Sequence, residues 1–245
     1  MNAIARPPHE NSSWSRVGGG SGVGWTGACV TGHGRGRRVQ SGMSTFGSMT
    51  VEQFLAATHA KSPTPGGGAV ASAVGALAAA LAGMVVSYSV GRKSLAAHEG
   101  TLRDADGRLV RARGLMLALA DEDAAAYGAV NDLMKRPEGD PVRVAELPAA
   151  LQAAVDAPMA TAAAGVDLLR LMVELAPITN RMLRSDLGIA AVLADATVAA
   201  ARWNVVINAG SVPEGPRREL LARIDGLLER SGEFRRRVET ACGQP

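Results

Sequence analysis

The chain has 245 residues, 47% of them apolar but only 3% aromatic. Strands favour β-branched and aromatic side chains; here the apolar positions are mostly Ala, Leu and Val, which disfavours an all-β fold and leaves an Ala-rich helical one. The formal charge of +3 comes from residues 1–48, where Arg6, Arg16, Arg35, Arg37 and Arg38 face one acid, Glu10; the other bases and acids nearly balance, which excludes a basic nucleic-acid-binding surface on the folded part.

Residues 1–48 also contain 11 of the 29 glycines and no apolar periodicity. Such a segment buries too little surface to offset its ordering entropy and is expected to stay disordered. It lacks the 7–15-residue apolar run of a secretory signal. An arm that touches RNA is the alternative use. Translation is expected to start at Met43 or Met49, where the patterned sequence begins. Cys29 and Cys242 lie near opposite ends and provide no disulfide framework, so a reducing, cytoplasmic setting is expected.

Thr50-Val51-Glu52-Gln53 has the form of a capping box and predicts a short helix through Ala60. Lys61-Ser62-Pro63-Thr64-Pro65 then leads into Gly66-Gly67-Gly68. Residues 69–90 contain no charge. That is long enough to span a bilayer, but Ala, Gly and Ser dilute it, no second span stands out, and a helix buried in a bundle is the better reading. Residues 96–134 predict a long helix with a strict 3-4 seam at 102, 105, 109, 112, 116, 119, 123, 126, 130 and 133. Every seam residue is apolar except Asp123.

Pro148 suits the first turn of the next helix, which Pro158 should kink and which runs to about Leu175. Ser185 is the expected N-cap of a helix from Asp186 to about Ala209. After Pro213 a charged amphipathic helix, or helix pair, continues to about Thr240. The organisation expected is an antiparallel all-α bundle over 49–212, with 213–245 packed on the same domain.

Asp123 is the first candidate for chemistry. A carboxylate in an apolar seam raises its pKa or finds a partner. It is either a general acid/base, with Tyr127 one turn on to orient it, or a structural group paired with a buried Arg or capping another helix. Asp121 and Glu122 point off the seam, toward solvent. Gly66–Gly68 can present backbone N–H groups to a ligand at the positive end of a helix, or form a tight interhelix turn. Arg92 and Lys93 either balance the negative end of the uncharged helix or grip a substrate carboxylate. Asp186, Asn204 and Asn208 share a helix face, yet the first two are ~27 Å apart along the axis. They serve opposite ends of a long ligand, different subunits, or interhelix hydrogen bonds. The histidines are isolated and no Cys cluster exists, so neither a metal nor a His-based triad is expected.

In order along the chain, Ser62-Pro63-Thr64-Pro65-Gly66-Gly67-Gly68, the uncharged helix ending in Gly91-Arg92-Lys93, Asp121-Glu122-Asp123 with Tyr127, Asn180 with Ser185-Asp186-Leu187-Gly188, and Asn204-Val205 with Ile207-Asn208 resemble the cyclodeaminase/cyclohydrolase family. The similarity runs from about Val51 to Val212. It implies an all-helical homodimer, a tetrahydrofolate substrate and no metal or other cofactor. It also implies substrate contacts from Ser62, Pro65, Gly66, Gly67, Gly68, Arg92, Tyr127, Asn180, Ser185, Asp186, Asn204 and Asn208. Asp123 would shuttle the proton, and Lys93 would neutralise substrate carboxylate or help protonate the leaving group. Ala69 stands where the family commonly has Ser, and Arg92 where Lys is frequent. The rival readings are a helical scaffold that has lost turnover and a small membrane protein built on residues 69–90.

Overall fold

The structure, a computed structural model, describes residues 45–243. Residues 1–44 of the arm, with Met43 and Cys29, lie outside the described residues. The described chain starts inside the stretch read as structureless. Phe46–Ser48 form a 3-10 turn; the Phe46 N–H donates to Asp121 Oδ1 at 2.9 Å, and the Phe46 ring meets Phe54 edge-on at 5.7 Å. Asp121 is therefore not left to solvent, as its off-seam position suggested.

Six helices follow: α1 (Val51–His59), α2 (Gly67–Ser87), α3 (Glu99–Met134), α4 (Pro141–Leu175), α5 (Arg184–Asn208) and α6 (Glu214–Cys242). No strand occurs among the described residues, and the all-α bundle expected from composition is the architecture found. The capping box forms: Thr50 Oγ1 accepts the Gln53 N–H at 3.1 Å and the Thr50 N–H donates to Gln53 Oε1 at 2.8 Å. Helix α2 starts earlier than its uncharged stretch suggested, so Gly67 and Gly68 are its first turn and Gly66 its N-cap.

Two other boundaries differ from the sequence reading, and one open alternative is decided. Pro148 does not open α4; Pro141 does, behind Asp140, whose carboxylate accepts the N–H groups of Val142 and Arg143 at 2.8 and 3.2 Å. The first-position rule for proline holds, applied to the earlier proline, and α4 runs through both Pro148 and Pro158. Ser185 does not cap α5. Asn180 caps a 3-10 turn, Arg181–Leu183, by accepting the Met182 N–H at 3.2 Å, and α5 starts at Arg184. The charged C-terminal segment is one helix, α6.

Helices α2, α3, α4 and α5 pack in a ring, each against the next, and α6 lies over α4 and α5. Eight of the ten seam positions of α3 are buried, with Ala112 and Asp123 half-buried. The main core joins Val85, Leu102, Leu109, Met116, Leu169, Met172 and Leu187; a second joins α6 through Ile224 and Leu227 to Val155, Val198 and Val205. Small residues set the spacing. A Cβ on Gly75 would stand 2.7 Å from Met116 Sδ, and one on Gly165 2.7 Å from Val198 Cγ2. The sequence reading recognised one helix long enough to cross a bilayer, but two qualify by length and composition, Gly67–Ser87 and Arg181–Ser211. Both belong to the ring.

Candidate active site at the start of the uncharged helix

Helices α2 and α5 run antiparallel, and this places every motif. At one end Gly67 lies beside Asn204, whose Oδ1 would be 3.7 Å from a Cβ at residue 67. At the other end the Asn180 N–H donates to Ser89 Oγ at 2.9 Å. The motif residues thus divide between two ends of one helix pair.

At the first end is a cleft of about 380 Å³, within the size range of small-molecule sites. The α2 loop and first turn contribute Pro63, Thr64, Gly66, Gly67 and Gly68; α3 contributes Asp123, Tyr127 and Val130; α4 and α5 contribute Ala154, Asn204, Ile207 and Asn208. Asp123 sits at the contact between α3 and the start of α2. A Cβ on Gly68 would overlap its carboxylate, so the absent side chain at 68 is what lets the acid reach this position. Burial pushes the Asp123 carboxyl above its ordinary value, and a hydrogen bond from the Ala69 backbone N–H pulls the other way without cancelling it. No cation contributes to that balance, so the buried-Arg partner is not what holds Asp123. The other structural alternative is realised in part: Asp123 takes one of the free first-turn amides of α2. The same carboxylate therefore anchors two helices and faces a cleft.

Asn208 is recruited by a proline. Pro158 has no N–H to return to the carbonyl of Ala154 four residues earlier, and Asn208 Nδ2 donates to that oxygen at 2.6 Å. Pro158 thereby ties the end of α5 to α4 and fixes the cleft's far wall. Tyr127 is exposed at the rim.

Ser62 and Pro65 belong to the loop beside the cleft but do not line it. Ser62 Oγ donates to the Thr64 carbonyl at 2.9 Å, and Pro65 is buried behind it. Arg92, Lys93, Asn180, Ser185 and Asp186 lie at the opposite end. Helix α2 ends at Ser87 and the chain turns through Gly91 at φ 76° before Lys93 begins a short 3-10 helix. The 21 residues of α2 separate Lys93 from the glycines by ~30 Å. The pairing of Asp123 and Lys93 in one centre is not formed within a single chain. The reason is the straight, uninterrupted helix between them. Arg92 and Lys93 also lie beyond the end of α2 rather than on its last turn.

Pro63, Thr64, Ala154 and Ile207 also line the cleft, and none of them is a site candidate from the sequence alone. Ala154 carried a usable signal, because it stands four residues before a proline. Val130 was counted only as a seam residue. Among the described residues no group of three His, Cys, Asp or Glu side chains is placed to hold a metal ion.

The chain is a helical bundle whose uncharged helix starts on three glycines, with a carboxylate raised by burial seated against its first turn and facing a cleft. The family model described as formiminotransferase-cyclodeaminase matches residues 50–223, and the chain belongs to that family of folate cyclodeaminases and cyclohydrolases. It is 30% identical over 197 residues to a methenyltetrahydrofolate cyclohydrolase of Methylorubrum extorquens, covering 78% of this chain and 95% of that protein. It is 34% identical to the formimidoyltransferase-cyclodeaminase of Sus scrofa over 72% of this chain, but spans only 34% of that longer protein. A crystal structure titled formiminotetrahydrofolate cyclodeaminase, from Thermotoga maritima, superposes with a TM-score of 0.73 at 30% identity, over 80% of this chain and 96% of that one.

Proposed function

We propose that this protein cyclises 5-formiminotetrahydrofolate to 5,10-methenyltetrahydrofolate with loss of ammonia. The observation that carries this reading is Asp123: an unpaired carboxylate, raised by burial and held by one backbone amide, facing a cleft beside a glycine-rich helix start. N10 attacks the formimino carbon and gives up its proton; the former imino nitrogen must gain a proton before it departs. One carboxylate that alternates between base and acid serves both needs, and a pKa moved toward neutrality suits it for the exchange. The first-turn amides of Gly67 and Gly68 and the side chain of Asn204 would orient the pteridine. The second reading, favoured by the stand-alone relative from Methylorubrum extorquens, is hydrolysis of 5,10-methenyltetrahydrofolate to the 10-formyl form. There Asp123 would take one proton of the attacking water and return it to N5 as the C–N5 bond breaks, while the remaining hydroxyl proton is released to solvent as the formyl C=O forms. Both routes pass through a tetrahedral carbon between two nitrogens.

The test supplies the two folates separately and follows methenyl absorbance. Appearance from the formimino compound supports the first reading, and accelerated loss of the methenyl compound the second. No change with either removes both and leaves the non-catalytic scaffold.

The seating of Asp123 predicts a ranking of glycine variants. Gly68→Ala should cost about 10²-fold in turnover, the size of an acid/base contribution, because the new methyl displaces the carboxylate. Gly66→Ala, whose Cβ meets only the Pro63 carbonyl at 3.8 Å, should cost much less. Steady-state rates with either folate check this; equal losses, or the reverse order, would refute it.

The site as proposed is completed by a second copy of the chain, giving a cytoplasmic homodimer. Leu77, Tyr88, Ile189, Val192 and Trp203 are all exposed, and they lie on the outer faces of two adjacent, antiparallel helices. An apolar face of this extent marks an interaction surface. If the two-fold axis runs across the helices, α2 is reversed against its copy and the partner subunit's Lys93 is carried toward the Asp123 end.

A further inference from the structure

A second cleft, of about 540 Å³, lies against the first. The two meet along α4, where Leu151 in one is a single turn from Ala154 in the other, and after α5, where Ser211 Oγ donates to the Asn208 carbonyl at 2.7 Å. Its wall is Leu147, Pro148, Leu151 and Val212, with one cation, Arg143. Among the described residues that guanidinium has no carboxylate partner: Nη1 donates to the Arg136 carbonyl at 2.6 Å and Nη2 contacts Met134 Sδ at 3.7 Å. Glu138 stands on the same rim. Pro148 has no N–H to return to the Val144 carbonyl, and both residues line this cleft, so the wall also offers a backbone acceptor. From Ala154 to Arg143 is ~16 Å along the helix axis.

We infer that this second cleft is the subsite for the p-aminobenzoyl-glutamate tail of the folate, with Arg143 as the carboxylate anchor. The inference rests on the folate reading given above. An aryl ring, an amide N–H and a carboxylate, in that order away from the pteridine, match an apolar wall, a freed carbonyl and a guanidinium, in that order away from Asp123. Pteridine in the first cleft and tail in the second would occupy neighbouring clefts along α4. Arg143 would thereby set affinity for the tail rather than the reaction at N5 and N10.

The experiment uses the full chain and two stable, non-reacting probes, 5-formyltetrahydrofolate and a 5-formyltetrahydropterin without the tail, each titrated calorimetrically. The wild type should bind the tailed probe more tightly. Arg143→Ala should weaken the tailed probe about ten- to a hundredfold, the size of one charge-assisted hydrogen bond, and leave the tail-less probe unchanged. Arg143 also braces the turn before α4, so Leu151→Glu serves as a second variant. It places an anion in the cleft without touching that turn, and should weaken the tailed probe selectively too. Equal weakening of both probes, or none of either, in these variants would overturn the subsite. Failure of the wild type to bind either probe would instead overturn the folate reading.

Discussion

Asp123→Asn should lower turnover by ~10²–10⁴-fold while the protein stays folded, with thermal stability at neutral pH unchanged or higher. The two halves of this result come from one fact. Burial raises the Asp123 carboxyl above its ordinary value of 3.8, so the native state holds the proton more tightly than the unfolded chain does. Stability from this group is fully present below the unfolded pKa and is lost as pH rises through the folded one. At neutral pH the ionised acid is a burden on the fold. Asparagine removes that burden, and its carbonyl still accepts the Ala69 amide. A residue retained only to anchor α3 to α2 would give the opposite pattern: turnover and stability falling together. The raised carboxyl should also place the acidic limb of the kcat/KM profile above the usual aspartate range, and that limb should vanish in the variant. Near-normal turnover in Asp123→Asn, or a lower melting temperature at neutral pH, would remove Asp123 from the mechanism.

The seam of α3 was legible because burial imposes a period on a long helix, and ten positions in register leave one polar intruder easy to see. The helix starts were harder. Proline suits a first turn equally well at 141 and 148, and only the Asp140 side chain, capping from outside the helix, decides between them. Ser185 has the right chemistry for a cap, but α5 already begins at Arg184 behind the 3-10 turn that Asn180 caps, so Ser185 falls inside the helix. The missed wall of the cleft has a different origin. Ala154 and Ile207 contribute a carbonyl and a methyl surface, which no residue-type pattern singles out. Their roles follow from the antiparallel meeting of α4 and α5 in space. The division of the motifs between two ends was visible in outline, since the separation of Asp186 from Asn204 follows from helix rise alone. What the sequence could not reveal is that Lys93 lies at the Asp186 end, because that depends on α2 running straight from the glycines to Ser87.

Lys93→Ala should lose at least about tenfold in turnover, as removal of a charged contact to substrate does, and mixing it with Asp123→Asn should restore activity that neither variant has. In the proposed dimer each site takes Asp123 from one subunit and Lys93 from the other. Random exchange makes half the dimers mixed, and each mixed dimer has one site with both groups intact and one with neither. About a quarter of wild-type activity should therefore return, a consequence of two-fold symmetry alone. If both groups acted within one chain, ~30 Å apart along α2, every site in the mixture would lack one of them and nothing would return. Leu77→Glu supplies the control. Leu77 is 60% exposed on the uncharged face of α2, so a carboxylate there leaves the core intact while opposing the second copy. Sedimentation should show a monomer, and the variant should be inactive with wild-type Asp123 and Lys93 both present. A fully active Leu77→Glu monomer, or a mixture of the two site variants that stays inactive after complete subunit exchange, would return the reaction to a single chain and leave Lys93 without a part in it.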